Sequence, residues 1–298
     1  WRIVDIIEPG WSIRDLALAV MFGLVYATIV VGIFSRGVHR ADLAPTWARS
    51  HGILLSDRTR PFARWYCQLT GVLRVTGGVS GLVLGAMFDR AFGINSSAGF
   101  GFWAWVITGW LLGAAWAERR LQRPGEVGAA SLVPRRTTDY IPRGLAFAPM
   151  VATATTVLVA AVALVRPANP SRAALRPPST GLTFFIAAVV AIALCALVVL
   201  LRRSVVNRPQ PLMEPELLAV DDAVRSSTIH HLSGAGTAAI VCISGYLISL
   251  QTEAVPRLPF GLRGWLPLVP LVAALISWRY WSFRPWRVGR SLAGSNVS

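Results

Sequence analysis

One positive charge lies well inside an apolar stretch of this sequence. Arg74 stands about eight residues into the run 66–88, roughly 12 Å from its start at ~1.5 Å of rise per residue. A charge near the bilayer centre costs about 2.5–3.5 kcal/mol, so such residues usually face the interior of a helix bundle or water. Arg74 is therefore a candidate contact for a substrate or an ion in a polar cavity. The alternative is that its long side chain extends back toward the helix start and contacts lipid head groups.

A second group of charged residues precedes the sixth apolar run. The segment 216–231 carries Asp221, Asp222 and Arg225, and apolar residues recur on one of its faces at helical spacing. We expect a short amphipathic helix at the membrane surface, with these three charged side chains docking a cytosolic partner.

Neither metal binding nor catalysis is predicted. His230 and His231 are adjacent in the sequence and point to different faces of a helix, whereas zinc-binding histidines on a helix are typically four residues apart. No HExxH, GxSxG or GxxxxGK[ST] motif occurs. Because the apolar runs also carry no acid/base pair, an intramembrane enzyme is disfavoured. We expect a protein that is not an enzyme and has no cofactor.

Glycines at four-residue spacing predict close packing between two helices. Gly77, Gly81 and Gly85 fall on one face of the run that contains Arg74, and Gly109 and Gly113 occur in the next run. In lipid, such stripes of small residues let two helix backbones approach closely.

Composition indicates a membrane protein. Only 14% of the 298 residues are charged and 54% are hydrophobic, whereas a soluble domain has about 25% charged residues. The net charge is +15, and all 29 basic residues are arginine. These arginines flank the apolar runs, which favours anionic lipid head groups over nucleic acid as their partners.

Seven apolar runs have lengths near the ~20 residues needed to cross a bilayer. They cover residues 16–34, 66–88, 98–117, 145–165, 181–201, 232–250 and 264–283. The predicted fold class is all-α, a polytopic membrane helix bundle of about seven transmembrane helices that forms one domain, 1–298.

The arginines predict the orientation of this bundle. Twenty of them lie in alternate connections and in the C-terminal tail, and such residues are enriched on the cytoplasmic side. The N-terminus is therefore expected outside and the C-terminus inside. The arginine-only usage is typical of a GC-rich bacterial genome, so we expect a multi-pass protein of the bacterial cell membrane. Since the chain begins with Trp1, an upstream span is expected to be missing.

Faint self-similarity predicts a parallel internal repeat. Leu-Thr-Gly at 69–71 opens the second run, and Leu-Ser-Gly at 232–234 opens the sixth. The repeat would divide the chain into halves 1–124 and 135–298, as in some transporters. The alternative is chance identity among Gly, Leu and Ser.

Two short segments carry a resemblance. Residues 135–144 (RRTTDYIPRG) and 221–227 (DDAVRSS) resemble uncharacterised multi-spanning membrane proteins of actinobacteria, some of them associated with ABC transporters. The resemblance implies a role in transport but assigns no catalytic or binding residue.

Two functions follow from these observations. The first is a transport-associated, permease-like subunit that works with a separate cytosolic ATPase and takes an anionic or amphipathic substrate. The second is a non-transporting membrane scaffold or assembly subunit of a larger complex, in which the glycines and arginines serve packing and orientation.

Overall fold

The described part of the chain is entirely helical. The computed structural model describes residues 42–91, 100–121, 135–165, 180–208, 215–253 and 268–283, and these ranges contain helices but no strands. The helices are α1 Ala44–His51, α2 Arg60–Ala91, α3 Phe100–Arg120, α4 Thr137–Tyr140, α5 Arg143–Val165, α6 Thr180–Val206, α7 Pro215–Glu253 and α8 Leu268–Phe283.

Four of the described helices are long and apolar enough to cross a membrane. They correspond to the predicted second, fourth, fifth and sixth spans and comprise Arg60–Phe88, Arg143–Val165, Gly181–Val206 and Glu216–Gln251. The predicted third and seventh spans are helical as α3 and α8, but neither is among these four. The predicted first span, 16–34, lies outside the described residues. The described part of the chain is thus all-helical with four candidate membrane spans, and the count of seven stays a prediction.

The long helices α6 and α8 run in the opposite direction to α7. Ser282 near the end of α8 packs beside Gly234 in α7, and Arg202 near the end of α6 bonds to Ser233 of α7. By contrast, α5 runs alongside α7 in the same direction. Thr156 of α5 bonds to Ser244 of α7, and further along both helices the Val159 carbonyl of α5 accepts a hydrogen bond from Gln251 of α7. One end of the bundle therefore contains the starts of α5 and α7 together with the ends of α3, α6 and α8. We call this the network end.

The long helix α7 forms the centre of the bundle. It has 39 residues and contacts α3, α4, α5, α6 and α8. Every residue from 220 to 240 is buried. The expectation of a separate amphipathic surface helix over 216–231 was wrong, because this segment continues into the sixth span as one helix and is enclosed by other helices.

The helices around α7 present apolar side chains outward. In α5 and in α6, only 22% of the most apolar 18-residue stretch is buried, whereas 78% of the corresponding stretch of α7 is buried. Large hydrophobic residues are exposed along both outer helices, among them Phe147, Val151, Leu158, Phe185, Ile192 and Leu200. A polar centre within an apolar exterior is the arrangement expected of a bundle surrounded by lipid, where polar groups turn inward.

One hydrophobic core joins the two predicted halves of the chain. Buried residues of α3, such as Ile107 and Leu111, belong to the same cluster as Ile229 and Ile240 of α7. The prediction of a single domain and the prediction of an internal repeat both stay predictions, but the contact between α3 and α7 is direct.

Candidate functional site

Six charged side chains meet at the network end of the bundle. They come from the end of α3, from the segments before α4 and after α6, and from the first turns of α7. These side chains, which we call the charge network, are Glu118, Arg135, Arg208, Asp221, Asp222 and Arg225. Three are acidic and three are basic, so their formal charges cancel.

Arg225 is the most deeply buried member of the charge network. Its side chain is fully enclosed, and its Nε atom donates to Asp221 Oδ2 at 2.8 Å, one turn earlier on the same helix. The NH1 group of Arg225 donates to three backbone oxygens at the end of α6, those of Val205, Val206 and Arg208. Since the last carbonyls of a helix have no partner within the helix, Arg225 caps α6 and fixes it to α7.

Arg208 links α3 to α7. Its NH2 group donates to Asp221 Oδ1 at 2.8 Å, and its NH1 group forms an ion pair with Glu118. Glu118 also accepts a hydrogen bond from the hydroxyl of Thr228 at 3.2 Å. A carboxylate at the end of α3 is thereby bonded both to the segment after α6 and to α7.

Asp222 links α4 and the segment before it to α7. Its Oδ1 atom accepts hydrogen bonds from Arg135 at 2.8 Å and from the Tyr140 hydroxyl at 3.2 Å. The Tyr140 carbonyl accepts a further hydrogen bond from Ser226. Burial, together with the adjacent Asp222 carboxylate, raises the pKa of Tyr140 to about 12. Tyr140 therefore remains a neutral hydrogen-bond donor at physiological pH.

The three predicted docking residues lie inside the charge network. Asp221, Asp222 and Arg225 are at most 5% exposed and bond to groups of the same chain. Their role in binding a partner stays a prediction. The described contacts give them a structural role, which is to hold the start of α7 against α3, α4 and α6.

Arg74 lies beyond the charge network, deeper in the bundle. It is 7% exposed, and its NH2 group is 3.5 Å from the hydroxyl of Tyr66, eight residues earlier on α2. The side chain therefore extends back toward the start of its helix, as long side chains on helices tend to do. Its Nε atom has no hydrogen-bond partner within the described ranges.

Other polar groups surround α7 at the depth of Arg74. His231 interacts electrostatically with Arg74 and bonds through Nδ1 to the carbonyl of Ser227 at 2.8 Å. Arg202 of α6, also buried, donates to the Ala146 carbonyl of α5 at 3.0 Å and to Ser233 at 3.4 Å. Neither arginine forms an ion pair with a carboxylate in the described part of the chain.

The predicted glycine stripe lies between α2 and α3. A methyl group added at Gly77 would overlap the backbone of Gly109 and Gly113. A methyl group at Gly81 would overlap the carbonyl of Trp105, and one at Gly85 would overlap the Trp105 ring. The two helix backbones are therefore in direct contact along this stripe.

The described side chains offer no metal site. Within the described residues, no group of three or more His, Cys, Asp or Glu side chains is close enough to hold a metal ion. His230 bonds instead to the backbone carbonyl of Trp281 at 3.1 Å, which fixes α8 to α7. The arrangement is therefore one of structural hydrogen bonds and buried charge rather than of metal ligands.

Comparison with known proteins identifies no relative of this chain. No protein-family model, curated protein or solved structure matches the chain. The resemblance to actinobacterial membrane proteins thus stays a prediction.

Several members of the site were not found from the sequence. The sequence places Arg135, Arg202 and Arg208 only in the connections between spans, and it predicts no role for Glu118 or Tyr140. One signal was available, because Glu118 is a rare acid at the end of an apolar run. Acids at such positions usually have a specific partner.

Proposed function

We propose that this chain is a permease-like subunit of a bacterial transport system that works with a separate cytosolic ATPase. The observation that supports it best is the central helix α7, which is buried on all sides over residues 220–240 although it carries many polar side chains. In membranes, buried polar residues of this kind mark substrate and ion pathways. The lipid-facing helices around it are apolar.

The charge network supports a partner on the network end. Because Glu118, Arg208 and Asp221 bond to one another across α3, α6 and α7, a force applied to these connections would be transmitted to the central helix. The network end also carries most of the arginines that the structure describes, which is typical of the cytoplasmic side. A cytosolic ATPase would therefore bind at this end.

A non-transporting scaffold is the second candidate, and a separate observation favours it. The glycine-lined contact between α2 and α3 has no space even for added methyl groups. The charge network is also neutral as a whole. Both features suit a rigid bundle that organises other subunits.

Cysteine labelling distinguishes the two functions. Ser233 and Thr237 lie on the buried part of α7, and Ser233→Cys and Thr237→Cys nearly preserve side-chain size. Each variant is made in a chain whose three cysteines, Cys67, Cys195 and Cys242, are replaced by alanine. It is then treated with a membrane-impermeant thiol reagent from either side. Val190→Cys, on the exposed apolar face of α6, is the control for lipid-facing positions, and Arg136→Cys is the control for water.

Labelling at Ser233→Cys or Thr237→Cys, with Val190→Cys unlabelled, is the result expected of a permease, since it requires an aqueous path along α7. If only Arg136→Cys reacts, the centre is dry and the scaffold replaces the permease. The partner is tested separately by purifying the tagged chain in mild detergent. A co-purifying subunit with a nucleotide-binding loop is expected, and recovery of the chain alone would contradict the ATPase.

A further inference from the structure

Arg74 is a buried cation whose charge is not balanced by the described residues. An arginine side chain keeps its charge at any physiological pH and carries five N–H donors. Here the side chain is 93% enclosed, its one hydrogen bond is long at 3.5 Å, and its Nε–H has no acceptor in the described part of the chain. Buried charges in proteins normally have a partner of opposite charge.

The Tyr66 hydroxyl provides a second donor beside Arg74. It accepts the hydrogen bond from Arg74 NH2, and among the described residues its own proton has no acceptor. Tyr66 is 1% exposed and clusters with Val220 and Val224 of α7. Two donors with unused hydrogen-bonding capacity therefore lie together on α2, beside α7.

The acids described near these donors are bonded to other groups. His231 of α7 interacts electrostatically with Arg74. The nearest acid before it on α7, Asp222, is nine residues away, about 14 Å along the helix, and is bonded to Arg135 and Tyr140. The described acids of the charge network thus have other partners.

We infer that Arg74 and Tyr66 bind a phosphate-type oxyanion beside α7. The fork of a guanidinium matches phosphate oxygens, and a tetrahedral phosphate has enough acceptors for Arg74 and Tyr66 at once. The phosphate belongs either to a phospholipid head group or to a free solute. The inference deepens the proposed function by naming the chemistry of its ligand, and it rests on that function for the site's role in transport.

Three variants test the site. Arg74→Gln removes the charge, and Tyr66→Phe removes only the hydroxyl. Arg202→Gln is the matched control, because Arg202 is similarly buried but already bonds to a backbone carbonyl and a serine hydroxyl. Thermal unfolding of each purified protein in detergent is followed with inorganic phosphate and with chloride at equal ionic strength. Native mass spectrometry counts the phospholipids that remain bound.

Phosphate is expected to raise the unfolding temperature of the wild type and of Arg202→Gln. Tyr66→Phe should bind phosphate about tenfold more weakly, the loss expected for one hydrogen bond to a charged group, and Arg74→Gln should show no phosphate effect. Without phosphate, Arg74→Gln should unfold at the same temperature as the wild type or higher, because it removes an unbalanced buried charge. A purely structural role for Arg74 predicts a lower temperature instead.

If inorganic phosphate has no effect but the wild type retains one more phospholipid than Arg74→Gln, the ligand is a lipid head group. If neither measurement distinguishes the wild type from Arg74→Gln, the oxyanion site is wrong. That result together with labelling of Ser233→Cys would overturn the site alone and leave the permease standing. Phosphate binding without labelling or a co-purifying ATPase would overturn the permease and leave the site.

Discussion

Asp221 and Arg225 form an ion pair that is almost completely excluded from solvent, with a separation of 2.8 Å across one turn of α7. The same guanidinium bonds to the last backbone oxygens of α6. A pair of this kind is strongly coupled to folding, because removing one partner leaves the other charge buried.

We predict that Arg225→Leu destabilises the protein by about 3–5 kcal/mol, the usual cost of breaking a buried ion pair from one side. Arg203→Leu is the matched control, because Arg203 is an exposed arginine near the end of α6, and it should change stability by less than ~0.5 kcal/mol. Denaturant unfolding in detergent measures both. Equal stability of the two variants would mean that the pair does not hold α6 to α7.

The glycine stripe predicts two opposite results for the same substitution. Gly81→Ala should destabilise the contact between α2 and α3 by about 1–3 kcal/mol, the usual cost of overpacking, because the added methyl group would overlap the Trp105 carbonyl. Gly71→Ala, on the same helix with nothing within 4 Å of the added atom, should be neutral or stabilising by up to ~1 kcal/mol. Thermal unfolding compares them, and similar losses in both would contradict direct backbone contact.

The raised pKa of Tyr140 predicts that the protein loses stability at alkaline pH. This pKa is raised from 10.0 to about 12 by burial and by Asp222, so the unfolded chain releases this proton at lower pH than the folded protein. The stabilising contribution is complete below the unfolded pKa and is lost as pH rises from there through the folded pKa.

The measurement for Tyr140 is the unfolding temperature as a function of pH, for the wild type and for Tyr140→Phe. The wild type should lose stability more steeply than the variant between the two pKa values. Parallel curves would show that the hydroxyl does not titrate differently in the folded protein.

The orientation of the bundle predicts which ends are accessible from outside the cell. Val165→Cys, at the far end of α5 and 82% exposed, should react with an impermeant thiol reagent on intact cells. Arg136→Cys, exposed at the network end, should react only after permeabilisation, since arginine-rich segments stay in the cytoplasm. Reaction of Arg136→Cys alone on intact cells would reverse the predicted topology.

The apolar runs by themselves predicted the four candidate spans, because crossing hydrocarbon requires length and hydropathy, and both are properties of consecutive residues. The backward reach of Arg74 toward the start of α2 also followed from one helix alone, since the direction of a side chain is set by the backbone that carries it. These features depend on local sequence.

The tertiary structure alone decided the rest. Glu118 and Thr228 are 110 residues apart in the chain, and Arg135 and Asp222 are 87 apart, so no local pattern could pair them. The burial of residues 220–231 was missed for a related reason. Asp221, Arg225 and Ser226 have the polar types of a surface helix, and only the helices packed around α7 replace the hydrogen bonds that water would otherwise provide.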